Sequence, residues 1–155
     1  MSIVEFVVAG SDMNQGMIFT SRLTANLFLN EDNLFNFDYI DIRCLSAKDA
    51  ELLDEIMWSI PKNILLPHNL IHIEDDKSII NIGYPGGKFI NKDNKVLINL
   101  NPSLPRQIQI YKKIYQLVIE DDAELRSSAA ESWKRCKKLG IKTAFNDQYE
   151  KEFRT

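Results

Sequence analysis

Apolar positions repeat along this chain with two periods that take turns. Ile3–Ala9 is rich in β-branched and aromatic residues, broken only by Glu5, and ends at Gly10-Ser11-Asp12, a strand running into a turn. From Met13 to Leu29 the apolar residues Phe19, Leu23 and Leu27 recur every four positions, which predicts a helix although Gly16 weakens it. Asp38–Cys44 alternates, with Tyr39, Asp41 and Arg43 on one side and Ile40, Ile42 and Cys44 on the other, as in a half-buried strand. Ser46 reads as an N-cap with Asp49 in the first turn, opening a helix through Trp58 that Pro61 follows. Its apolar positions Leu52, Leu53, Ile56 and Met57 keep the helical period. Strands are predicted at Ser78–Gly83 and Lys95–Asn99, separated by the turn formers Pro85-Gly86-Gly87 and Lys92-Asp93-Asn94. Gln109–Glu120 fits strand or helix, with Leu117-Val118-Ile119 favouring a buried strand. Asp121-Asp122 then caps a last long helix to Leu139, stopped by Gly140. Strands alternating with helices imply an α/β fold, an open, mostly parallel (mixed) sheet with helices on both faces.

Composition narrows the class without changing that picture. At 155 residues, 45% apolar and 26% charged, with no repeat or long linker, the chain fits one soluble domain spanning residues 1–155. A net charge of −3 argues against a general electrostatic grip on nucleic acid. No apolar run is long enough to span a membrane, and Glu5 with no preceding basic residue does not suit a signal peptide. Cys44 and Cys136 are far apart and have no CxxC spacing, so neither a zinc site nor a disulfide framework is expected. The expectation is a cytoplasmic protein with no cofactor and no metal.

Candidate chemistry is sparse. His68 and His72 have the spacing of two metal ligands on one helical turn, but Pro67 disfavours a helix there and packing or capping is the better account. Gly83-Tyr84-Pro85-Gly86-Gly87-Lys88 is too short for a phosphate loop, lacks the Ser or Thr after Lys88, and loses an amide at Pro85. A tight turn explains it. No nucleophile–base set is recognisable, and the acid pairs Asp75-Asp76 and Asp121-Asp122 suit turns and helix starts. A nucleotide-binding or hydrolytic enzyme on the same scaffold is the alternative function, and it would need one of these missing sets.

The last helix is more informative. At 100° per residue, Leu125, Ala129, Ser132, Cys136 and Leu139 form one stripe, assigned to the core. Arg126, Ala130, Trp133 and Lys137 form a second along its edge, with a partly exposed Trp between two cations. Lys134 to Lys142 carries five basic residues and no acidic one. Cations at a helix C-terminus complement its dipole; they would equally serve as a docking site for an acidic peptide, with Trp133 as apolar anchor. Direct binding of single-stranded DNA by this helix would call for interleaved aromatics that are missing. Met57-Trp58 and Leu65-Leu66-Pro67, on either side of Pro61, fit either the core or a protein–protein anchor.

Leu53-Asp54-Glu55-Ile56-Met57-Trp58-Ser59-Ile60-Pro61, followed by Leu65-Leu66-Pro67-His68-Asn69-Leu70, resembles the chi subunit of bacterial DNA polymerase III holoenzyme. The likeness continues through Val96-Leu97-Ile98-Asn99-Leu100, Asp121-Asp122 and Ala130-Glu131-Ser132-Trp133-Lys134 to Gly140, covering about residues 52–145. The resemblance implies a Rossmann-like fold with no catalytic or nucleotide site. It implies pairing with the psi subunit of the clamp loader, a grip on the acidic, Phe-ending tail of single-stranded-DNA-binding protein, and contact with DNA only through that protein. Trp58 and Leu65 fall on the face for psi and for a helicase-like alternative partner. Arg126, Trp133 and Lys134 fall on the tail site, with Ile119 near its apolar pocket. Ala130 replaces a basic residue of that site and Lys142 a polar neutral one, with Arg126, Lys137 and Lys142 available to restore the charge.

Overall fold

The computed structural model of the protein describes residues 3–29, 37–71, 78–89 and 93–147. Seven strands form one sheet: β1 (Ile3–Gly10), β2 (Tyr39–Arg43), β3 (His68–Leu70), β4 (Ile80–Gly83), β5 (Lys95–Asn99), β6 (Tyr111–Ile119) and β7 (Lys142–Asn146). Their order is β3-β4-β2-β5-β6-β1-β7, and every pairing is parallel. Helices α1 (Met13–Leu29) and α2 (Ala47–Ser59) cover one face and α3 (Ala123–Lys138) the other, so the expected α/β architecture holds.

The elements start and stop where local chemistry dictates. The Ser46 side chain accepts from the Asp49 amide at the start of α2, and Asp122 accepts from Leu125 at the start of α3. At the end of α3 the Gly140 amide donates to Lys137 and the Ile141 amide to Cys136, with Gly140 at φ +71°, the double closure that favours glycine. Gly16, a weak residue inside α1, is explained by packing. A Cβ there would lie 2.7 Å from Cδ1 of Ile119, so glycine lets α1 approach β6. Pro85-Gly86-Gly87 is the tight turn expected, with Gly86 at φ +94° and the Gly87 amide donating to the Tyr84 carbonyl.

Two short strands escape the sequence pattern altogether, and they are the two edges, β3 and β7. The strand expected at Ser78 begins at Ile80, and the ambiguous stretch resolves into a 3-10 turn, Ile108–Ile110, leading into β6. Leu139, assigned to the core stripe, is the C-cap of α3 and is 56% exposed, because the helix ends at Lys138 and the chain turns away there. β2 is buried on both faces. Ile40 and Ile42 pack under α1 and α2. Asp41, on the other side, receives the Lys95 ammonium at 2.8 Å and the Tyr111 hydroxyl at 2.9 Å. Burial pushes the Asp41 carboxyl above its ordinary range, against the pull of Lys95 and Tyr111, and burial also raises the Tyr111 hydroxyl. His72, Asp75-Asp76 and Lys92 lie outside the described residues.

Candidate protein-docking site

The α3 stripe hangs over the β7 side of the sheet. Ser132 donates to the Pro102 carbonyl at 2.6 Å and Arg135 to the Leu104 carbonyl at 3.3 Å, which ties the opposite side of the helix to the 102–104 loop. Arg135 is therefore a brace. Trp133 is half-buried, its ring edge-on to Phe6 with centroids 5.0 Å apart and planes at 66°. The Lys137 ammonium sits 4.9 Å from the Trp133 ring centroid, a cation–π pair at the surface. Arg126 is exposed one end up the helix and donates to the Glu120 carbonyl at 3.3 Å. Lys134 is exposed and lies 3.5 Å from Glu131, both side chains more than 70% accessible, so the pair holds neither in place. Lys142 is exposed at the start of β7.

Phe145 joins this group and sequence reasoning missed it. It pairs with Phe6 across the β1–β7 ladder, hence stands on the same sheet face as Trp133, and it is 58% exposed. Ile119 does not join. It is 3% exposed, packed against Gly16 under α1 in the cluster on the opposite face. Strand parity explains the difference: Leu117 and Ile119 point to α1, and Val118 points to the α3 side with Trp133.

A second apolar ledge lies at the other edge of the sheet. Trp58 is 53% exposed and Leu65 is 75% exposed, while their neighbours Met57 and Leu66 are fully buried. The Trp58 ring lies on the His68 ring, with centroids 4.2 Å apart. His68 is locked from both sides, Nδ1 2.6 Å from the Leu66 carbonyl and Nε2 3.1 Å from Asp54 Oδ1. The Asp54…Trp58 and Pro67-His68 segments thus form one device, in which α2 is clamped to β3 and an indole is left outside. His68 is a packing residue, as its sequence context indicated. Among the described residues no group of three His, Cys, Asp or Glu side chains could hold a metal.

A cleft of about 390 Å³ opens at the carboxyl end of β1, bordered by Gly10, Gln15, Arg22, Glu120 and Asp147. Open α/β sheets hold ligands at such ends. Here the Ser11 amide already donates to Gln15 Oε1 and the Gln15 amide to Asp12 Oδ1, which leaves those two donors unavailable to a phosphate. Burial raises both thiols, Cys44 to about 12 with help from Asp49, and Cys136 against the pull of Arg135 and Lys137. Neither is poised as a nucleophile.

A family model described as DNA polymerase III chi subunit, HolC, matches residues 1–144. The chain belongs to that chi subunit family. It is therefore an accessory subunit of DNA polymerase III, serving DNA replication. The match takes in the N-terminal strand–helix–strand unit as well as the Trp58 and Trp133 motifs. A search of curated proteins found no match. No described helix is long and apolar enough to cross a membrane.

Proposed function

We propose that this chi-family chain is a non-catalytic, single-domain cytoplasmic adaptor with one docking site at each edge of its sheet. The Trp58–Leu65 ledge takes the psi subunit, or a helicase-like alternative partner. The groove of Trp133, Phe145, Arg126, Lys134 and Lys137, with Lys142 on the other face of β7, takes the acidic, Phe-ending tail of single-stranded-DNA-binding protein. DNA is reached only through that protein, and no cofactor takes part.

The observation that carries this reading is the placement of an exposed Trp58 and a half-buried Trp133 near opposite edges of one sheet. β3 and β7 are separated by five intervening strands, so the ledges lie roughly 29 Å apart at the usual strand spacing. Two partners can occupy them together. Half-buried Trp rings with exposed apolar neighbours are typical anchors, and only the Trp133 ledge is ringed by cations, which suits an acidic partner there.

Isothermal titration with a synthetic acidic peptide ending in Phe tests the tail site. Binding should be moderate, weaken with added salt, and nearly vanish when the final Phe is removed. Lys134→Glu should hurt most at low salt. Wild-type affinity in both Trp133→Ala and Lys134→Glu would place the tail elsewhere and reduce the basic cluster to a solvated helix end.

A further inference from the structure

The two edges of the sheet are finished differently. β3 has three residues and follows Pro67, which cannot donate to a ladder, so that edge is blunted. β7 has five residues in unbroken register with β1, contains no proline or bulge, and no described strand pairs with its outer side. It offers about 16 Å of regular edge. Beside it run the groups of the proposed tail site, and their order along the strand is directional. Lys137 and Lys138 end α3 three residues before β7 begins, and Lys142 opens the strand; none of the three has an acidic partner among the described residues. At the far end stands Arg126, near the Glu120 carbonyl just past β6. Trp133 and Phe145 lie between them.

We propose that an acidic peptide ending in Phe binds here by strand addition, as an eighth strand lying parallel to β7. Its carboxylate-rich body meets Lys137 and Lys138 on the α3 face and, through alternate side chains, Lys142 on the other, its terminal ring enters between Trp133 and Phe145, and its α-carboxylate reaches Arg126. Main-chain hydrogen bonds to β7 supply affinity independent of side chains, and the aromatic slot and the cation gradient set register and direction. This inference rests on the tail-site reading above and adds to it the binding mode and the role of Phe145.

The test is titration of the full chain with the unmodified acidic peptide and with two versions N-methylated at alternate backbone amides. Only every second amide of an added strand faces its neighbour. One methylated version should therefore lose about tenfold or more in affinity while the other stays within about threefold. Phe145→Ala, at an exposed position that leaves the fold intact, should also weaken the unmodified peptide. Equal affinity of all three peptides, or equal loss in both methylated versions, overturns strand addition while leaving the docking site standing. Failure of the unmodified peptide to bind overturns the tail-site reading, and this inference with it.

Discussion

Trp58 and Trp133 are held in different ways, and the difference sets what each substitution should do. Trp58 rests on His68 with half its surface in solvent. Trp58→Ala should leave the fold intact and lower partner affinity by roughly thirtyfold, about 2 kcal/mol, in titration with psi. Unfolding of that variant would make Trp58 a core residue. Trp133 also packs on Phe6, so Trp133→Ala should cost some stability as well as peptide affinity, at every salt concentration. Asp41→Asn belongs to another category. It leaves the Lys95 ammonium, 3% exposed, without its carboxylate, and urea unfolding should show a loss of about 3–5 kcal/mol. At this scale the partial exposure of Trp133 beside Lys137 was legible, because both fall on one edge stripe of the helix. Ile119, which the resemblance put near the apolar pocket, lies buried on the α1 face because of its parity in β6. Phe145 was invisible because its meaning comes from the residue opposite it in β1.

Among the elements, the buried strands and the capped helices were readable and the edge strands were not. β5 carries the apolar run Val96-Leu97-Ile98 and β6 ends on Leu117-Val118-Ile119, although Lys112, Lys113 and Gln116 left the rest of β6 ambiguous, and α2 and α3 open on Ser46 and Asp122. β3 reads His68-Asn69-Leu70 and β7 reads Lys142-Thr143-Ala144-Phe145-Asn146, with too few apolar positions to show a period. An edge strand is recruited by its neighbour's hydrogen bonds, which sequence periodicity does not record. The same tertiary override explains Gly16, a poor helix residue required by the approach of α1 to Ile119. Gly16→Val should overpack that contact and lower stability by about 1–3 kcal/mol in thermal or urea unfolding, despite any gain in helix stiffness. Wild-type stability in that variant would mean that Ile119 has room to move.

For the molecule as a whole, the parallel sheet acts as a rigid spacer between two surfaces of different chemistry. The Trp58 ledge is apolar, with Leu65 beside it; the Trp133 groove combines aromatic rings with exposed lysines. Sites this far apart, with no shared residues, should be energetically independent. The central claim, that one chain bridges two partners, is tested most directly by titrating the acidic Phe-ending peptide into the free chain and into the chain saturated with psi. The account predicts peptide affinities equal within about twofold in the two titrations, with Trp58→Ala changing only psi binding and Trp133→Ala only peptide binding. Loss of peptide binding in the psi complex would contradict it, because the two partners would then compete for one surface.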